Sequence, residues 1–277
     1  MKGGQRIIKY LAIALAIFII VSIVSAILLS FNIFSDFLGL TKGRYTNELT
    51  HTIKSSNKVT KEFESNKITN IKIELAYSML TIKEGDSLKI ETNTNKVESK
   101  QNGNNLKIKE KEPSIFETSE ERRIIVTLPK GMTFNNIDIE AGAGEIQIEK
   151  LLAKNLDLEM GAGRVTIQEL QITQKAKIEG GAGKVDINSG KIANLDLNMG
   201  IGSFKLASEL SGNNKIDAGI GKLEFNLTDG LDNYTIRAEK GVGSIKIGEK
   251  EISNNVEYGV GETKIKIDGG IGSIEIK

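Results

Sequence analysis

The sequence predicts an all-β protein, a single-stranded β-solenoid (β-helix) with an amino-terminal β cap, preceded by one transmembrane α-helix. Two observations carry this prediction. A G-x-G motif recurs about every 19 residues through the second half of the chain, and a long uncharged apolar run lies near the amino terminus.

The apolar run predicts a membrane anchor. Residues 10–31 read YLAIALAIFIIVSIVSAILLSF, without a charged residue. A helix of about 22 residues at 1.5 Å per residue crosses a hydrocarbon layer of ~30 Å. The apolar core of a cleaved signal peptide is shorter, about 7–15 residues. We therefore expect a retained signal-anchor that contacts the membrane through residues 10–31.

The basic residues around this run predict its orientation. Lys2, Arg6 and Lys9 precede the run closely, whereas Lys42 and Arg44 follow it at a distance. Cationic residues are retained preferentially on the cytoplasmic side of a span. We expect a single-pass protein of the cell membrane whose repeat region is extracellular.

Composition divides the chain into four segments. The anchor is followed by a polar linker of mixed charge, by a less regular β region with GD and NGNN turns, and by the repeats. Terminal repeats are often atypical because they cap a stack, so the third segment is predicted to be the cap. The predicted boundaries are 1–34 for the anchor, 35–65 for the linker, 66–130 for the cap and 131–277 for the solenoid.

Eight G-x-G motifs organise the repeat region. Each lies between two short runs of alternating apolar and polar residues, the pattern of strands with one buried face. A period near 19 is typical of solenoids, in which each coil buries its apolar face against its neighbours. We predict about eight coils of strand, glycine corner, strand and polar return. The first glycines of the motifs are residues 142, 161, 181, 200, 219, 241, 259 and 270.

The alternation changes phase across each motif. Leu158 and Met160 share one parity, and Val165 and Ile167 share the other. A strand cannot change parity while one face stays inward, so the chain must bend at the glycines, which supply the backbone freedom. We expect the residue between the glycines to point into the core. These middle residues are Ala143, Ala162, Ala182, Ile201, Ile220, Val242, Val260 and Ile271.

The carboxy-terminal coil is predicted to end in an open strand edge. The alternating pattern of GSIEIK runs to Lys277. An unpaired edge offers backbone groups to another chain. This coil is therefore a candidate surface for self-association.

Composition excludes several classes of chemistry. The chain has no cysteine, its only histidine is His51, and its net charge is +1. Cysteine-dependent and two-histidine sites are thus ruled out, and no basic excess suggests a nucleic-acid partner. No motif continues as G-x-G-x-x-G, as nucleotide binding would require. We expect no enzyme activity, no cofactor and no nucleic-acid binding.

An acidic column is the strongest pattern among the outward positions. Seven of the eight residues that stand two places before a first glycine are acidic. Neighbouring columns contain cations, so a solvated surface crossed by ion pairs is the simpler interpretation. The sharper hypothesis is weak calcium binding through carboxylate oxygens in the first two coils. Its candidate ligands are Asp138, Glu140, Asp157 and Glu159.

One segment and the repeats after it carry a family resemblance. IIVTLPKGMTF at 124–134, followed by repeats of the type IDIEAGAGEIQIEKL, resembles the bacterial putative-adhesin or toast-rack β-repeat family of unknown function. The resemblance covers about residues 66–277. It implies a β-solenoid, often membrane-attached and associated with the cell envelope, and it implies no catalytic or ligand residues.

These observations predict a non-catalytic cell-surface module for adhesin-like binding or envelope-stress signalling. Its partner would be a cell-envelope protein or a wall polymer. One alternative is a self-assembling, membrane-tethered scaffold similar to bactofilin filaments. Another is a polysaccharide-cleaving enzyme with paired carboxylates, which an aromatic content of 5% disfavours because such grooves need aromatic platforms.

Overall fold

A computed structural model describes residues 58–111, 121–239, 241–252 and 255–277 of the protein. The predicted anchor, with its membrane contact at residues 10–31, lies outside these residues. Within the described ranges, no helix is long and apolar enough to cross a membrane.

The alternating segments form β-strands, as predicted. Two short 3₁₀ turns, Ser65–Lys67 and Leu231–Asn233, interrupt them. Side chains alternate between buried and exposed along the strands, which gives each strand one face toward the core. The strands are β1 (Val59–Phe63), β2 (Asn70–Leu75), β3 (Met79–Gly85), β4 (Leu88–Thr92), β5 (Val97–Asn102), β6 (Asn105–Glu110), β7 (Arg123–Pro129), β8 (Phe134–Ile187), β9 (Gly190–Ala193), β10 (Leu195–Ser211), β11 (Asn213–Leu227), β12 (Tyr234–Glu239), β13 (Val242–Ile247), β14 (Lys250–Ile252), β15 (Val256–Tyr258), β16 (Thr263–Asp268) and β17 (Ile271–Ile276).

The glycine corners stack directly on one another. In β10, a Cβ on Gly200 would lie 2.2 Å from the carbonyl oxygen of Gly181 in the preceding coil. A Cβ on Gly202 would lie 1.8 Å from the carbonyl oxygen of Gly183, and Gly202 also has φ +142°. Only glycine allows this backbone conformation and this approach between coils. Both glycines of the motif are therefore structural, as the parity switch predicted.

Seven of the eight G-x-G motifs form this column of corners. The exception is 259–261, where Gly259 and Gly261 pack against the backbone of Tyr234 and Asn233 instead. The predicted count of eight G-x-G coils is therefore wrong. The 11-residue gap before Gly270 exists because 259–261 belongs to a loop. From one end of the stack to the other, the corners are 76–78, 142–144, 161–163, 181–183, 200–202, 219–221, 270–272 and 241–243.

The last strands of the sequence lie inside the stack. β16 pairs in parallel with β11 on one side and with β12 on the other. β17 pairs likewise with β11 and β13. The expectation of an open edge at the carboxy-terminal coil is therefore wrong, because this coil inserts between two earlier ones. The outer coil is covered in turn by two short antiparallel strands, β15 on β12 and β14 on β13.

The other end of the stack has the same arrangement. β2 lies between β6 and β8, and β3 lies between β7 and β8, so a later coil covers the first one. Antiparallel β5 covers β6, and antiparallel β4 covers β7. The predicted cap thus contributes a complete coil to the stack. β1 pairs with β4 although it lies within the predicted linker, so the fold begins earlier than residue 66.

The interior is a continuous row of aliphatic side chains from one end to the other. Isoleucine, leucine and valine dominate it, and the largest fully buried side chains include Tyr234, Phe134, Phe204 and Phe225. Phe204 and Phe225 of adjacent coils pack with their rings tilted by 41° and the ring centroids 5.6 Å apart. Burial of apolar area on this scale supplies the main stabilising free energy of the fold.

Candidate functional site

The face that precedes the corners carries two outward columns of charged residues. Within the column that contains the predicted acids, parallel pairing places Glu179 beside Asn198, and Asp217 beside both Asn198 and Asp268. Cations of the adjacent column neutralise this row. Its closest contacts include Lys215 with Asp217 at 2.6 Å, Lys177 with Glu179 at 3.0 Å and Lys266 with Asp268 at 3.2 Å.

The four predicted calcium ligands lie on this face. Lys72 of β2 bridges two of them, with its Nζ 2.8 Å from Asp138 Oδ2 and 2.5 Å from Glu140 Oε1. Hydrogen bonds to Asp138 and then to Glu140 raise the pKa of Lys72 above its usual range. Asp157 lies 3.8 Å from a lysine of the next coil.

The described residues contain no group of three or more His, Cys, Asp or Glu side chains that could hold a metal ion. A cation at the first coil would have to displace Lys72. Weak calcium binding stays a prediction, to be tested by calorimetry with millimolar calcium.

The middle residues of the corners form a second, apolar surface. The expectation that they point into the core is wrong. Ile220 is 43% exposed, Ile271 53% and Val242 70%. The turn at the glycines leaves these three side chains exposed and the four at the other levels half-buried, and stacking aligns the whole row. We call this row the corner ridge; in stacking order it consists of Ala143, Ala162, Ala182, Ile201, Ile220, Ile271 and Val242.

Charge differs on the two sides of the corner ridge. The acidic column lies on the side of the first glycines. On the other side, the residue directly after each second glycine is basic or carries a hydroxyl group in every coil after the first. In stacking order these residues are Arg164, Lys184, Ser203, Lys222, Ser273 and Ser244. The ridge is therefore an apolar line with acids along one side and mostly cations or serines along the other.

A buried carboxylate closes one end of the column of corners. Glu110 Oε2 accepts the backbone N–H groups of Ala76, Tyr77 and Ser78 at 2.9, 3.1 and 3.1 Å. Its Oε1 accepts from Arg122 Nη1 at 3.0 Å, and the Arg122 guanidinium lies 4.9 Å from the centre of the Tyr77 ring. The carboxylate thus satisfies donors of the outermost, glycine-free corner. Sequence reasoning missed it because Glu110 lies in an ordinary charged run, KIKEKE.

An open groove of about 560 Å³ lies near the other end of the stack. Its lining includes Asp229, Asp232, Asn233 and residues 260–263, together with Lys191 and Glu209, which form an ion pair at 2.7 Å. Val260, which was predicted to be a core residue, is 97% exposed there.

The stacked corners, parallel ladders and capped ends define a β-solenoid repeat protein. The sequence matches the family described as Toastrack DUF4097 over residues 68–268, and the chain belongs to this family. No curated protein matches the sequence significantly.

Solved structures give weaker likenesses. A putative adhesin from Bacteroides fragilis has 17% identity and a TM-score of 0.44, over 80% of this chain and 98% of that one. A putative cell adhesion protein from Clostridium sporogenes has 18% identity and a TM-score of 0.37, over 79% of this chain and 98% of that one. Likenesses of this size carry no argument about binding.

Proposed function

We propose that the protein is a non-catalytic, adhesin-like module displayed at the cell surface, anchored through residues 10–31. The observation that carries this proposal is the continuous outward face of ion-paired columns on a rigid stack of coils. Such a surface suits recognition of an extended partner, because its charged groups repeat at the coil spacing of ~4.8 Å. A cell-envelope protein or a wall polymer is the proposed partner, and the proposed outcome of binding is adhesion or envelope-stress signalling.

The ion pairs within the outward columns favour a partner that binds through its charges more than one that buries apolar surface. Exposed pairs are weak and can exchange partners at little cost. Lys177, Lys215 and Lys266 each contact an acid of their own strand, so an incoming polyanion or polycation could compete for either member. Binding of this kind should weaken as ionic strength rises.

Protease shaving of intact cells tests the proposed topology. The full chain would carry a carboxy-terminal tag, with a cytoplasmic protein as control. We expect the tag to be lost while the cytoplasmic protein survives. A tag that stays protected until the cells are lysed would contradict surface display.

A deletion tests the module itself. Cells that express only residues 1–57 should lose the envelope phenotype of the full chain. Full function from this fragment would show that the solenoid is dispensable and would refute the proposal.

A self-assembling scaffold, the alternative function, would need a contact surface other than the predicted open edge of the carboxy-terminal coil. Its sequence argument was the open carboxy-terminal edge, and β17 is paired on both sides. Any self-association must therefore use another part of the molecule.

A further inference from the structure

We propose that the corner ridge docks against the corner ridge of a second copy of this chain, with the two stacks parallel. The ridge ends in β-branched aliphatic residues, of which Ile220, Ile271 and Val242 are exposed and Ile201 is half-buried. Ile201 pairs with Ile220 and Ile220 with Ile271, and Val242 follows on the far side of Ile271. Aliphatic side chains so exposed and so regularly aligned are a typical mark of an interaction surface.

The shape of the ridge fits a copy of itself. Each ridge side chain stands between two glycines, so a shallow groove without side chains runs along each side of the row. A second ridge can lie in such a groove at the same spacing of ~4.8 Å between levels. The partner therefore needs no feature that the chain does not already have.

Charge selects the orientation. A half-turn about an axis parallel to the stack brings the acidic column of each copy opposite the basic and hydroxyl column of the other. At the level of Ile220, Asp217 faces Lys222 of the other copy. Two levels away, at Ala182, Glu179 faces Lys184 in the same way. A half-turn about an axis perpendicular to the stack would instead place acids opposite acids, which is repulsive.

The groups involved can take part in such contacts. The Asp217 side chain is 34% exposed, and its contact with Lys215 is a surface ion pair. The Lys222 side chain is 54% exposed and pairs with Glu224. Surface pairs of this kind are weak, so these residues can share or exchange partners when a second ridge approaches. Glu140 and Glu145 of the first coil are the one like-charged level in this arrangement.

The interface is of modest size. Seven levels at ~4.8 Å give a strip about 34 Å long. At a width of ~15 Å the strip buries ~500 Å² per copy, at the low end of specific interfaces. Pairing should therefore be weak and dependent on local concentration. Chains held in one membrane, as the proposed function has them, would pair more readily than free ones.

Cysteine cross-linking of the full chain in isolated membranes, with copper–phenanthroline added as the oxidant, tests the pairing. The protein has no cysteine, so in each single-cysteine variant the introduced residue is the sole thiol of the chain. Half-turn symmetry about the stack axis brings each Ile220 opposite its counterpart. Ile220→Cys should form disulfide-linked dimers at least tenfold faster than Asn226→Cys, an exposed position of the same strand β11. Equal rates would overturn the proposal, and an adduct of Ile220→Cys with a different protein would overturn it in favour of that partner.

Two further experiments test the orientation. With Asp217→Cys and Lys222→Cys on differently tagged chains, mixed dimers should exceed the Asp217→Cys homodimer. The opposite preference would refute parallel packing.

In the Ile220→Cys background, Asp217→Lys should slow cross-linking, and addition of Lys222→Asp in the same chain should restore it. Loss without restoration, at an unchanged Tm, would show that these charges do not face each other. Neither test requires the chain to be surface-exposed, so failure of the proposed topology remains distinguishable.

Discussion

At the scale of single residues, the corner glycines are the positions that the fold can least change. Gly202 combines φ +142° with a carbonyl oxygen 1.8 Å from the site of any Cβ. Gly103 is also left-handed, at φ +59°, but nothing lies within 4 Å of its added Cβ. Substitution at Gly103 therefore tests backbone strain alone, whereas substitution at Gly202 tests strain together with the close approach of the coils.

We expect Gly202→Ala to lower the free energy of unfolding by more than about 4 kcal/mol, because the stacked backbone must separate. Gly103→Ala should cost only about 1–2 kcal/mol, the strain of a left-handed alanine. Chemical denaturation followed by circular dichroism measures both. Equal losses would show that the coils can move apart at little cost.

Glu110 is the second residue with a large expected effect. Glu110→Ala leaves three backbone donors and the Arg122 guanidinium without their acceptor in a buried site, and we expect a loss of about 3–5 kcal/mol. Glu98→Ala is the matched control, because Glu98 pairs with Lys111 in the open, and it should change stability by less than about 1 kcal/mol. A small loss at Glu110 would mean that water replaces the carboxylate.

The direction of individual side chains was the least predictable feature of the site. Alternation along Leu158 and Met160 correctly predicted an inward face, and both are buried. Two residues on from Met160, the same alternation placed Ala162 in the core, whereas Ala162 is only half-buried and its counterpart Ile220 is 43% exposed. The second glycine of the motif turns the chain there, and the sequence does not reveal in which direction that turn sends an alanine, isoleucine or valine.

At the scale of strands, the insertion of β16 and β17 between earlier coils decides which strands are central in the sheet and which lie at its edge. β17 has a hydrogen-bonded neighbour on each side, so its inward residues belong to the middle of a sheet. Sequence reasoning placed this strand at an edge because every coil carries the same G-x-G and the same alternation. Local patterns of this kind do not specify which coil lies beside which. The irregular gaps after Gly219 were the one available signal.

Substitutions at Ile276 and Ile271, both in β17, test whether this strand lies inside the stack. Ile276 is fully buried, and Ile276→Ala should cost about 2–5 kcal/mol, as in any well-packed core. Ile271 is 53% exposed on the corner ridge, and Ile271→Ala should change stability by less than about 0.5 kcal/mol. Thermal unfolding of both variants gives the comparison. A small effect at Ile276 would indicate a frayed terminal strand.

At the scale of the whole molecule, both ends of the solenoid are locked by a coil that is out of sequence order. Ordinary repeat stacks are nearly one-dimensional, and their terminal repeats open most easily. Here β2 and β3 at one end, and β16 and β17 at the other, cannot leave without separating two other coils.

We therefore expect amide hydrogen exchange in β16 and β17 to be as slow as in the central strand β10. The short covering strands β14 and β15 should exchange first, since each pairs with only one neighbour in the described part of the sheet. Exchange by mass spectrometry on overlapping peptides resolves the three groups. Fast exchange in β17 would show that the inserted coil opens independently.

Fold class was predictable at this scale, whereas the order of the coils was not. The repeat length near 19 residues, the alternation of apolar and polar residues and the glycine corners all reflect local geometry, which is the same in each coil. The pairings β11 with β16 and β12 with β16 join segments about 30–50 residues apart, and many other pairings would bury the same apolar faces. The corner ridge was overlooked for the related reason that an exposed isoleucine looks the same as a buried one in a sequence.

The inserted coil also affects how the protein is made. A ribosome delivers β12 and β13 well before β16 and β17, yet these early strands reach the stack only through the later ones. The growing chain must therefore keep its outer coil undocked until the last strand has emerged. A product of premature termination would retain exposed strands that proteases recognise. Completion of this end of the stack thus depends on the arrival of β16 and β17.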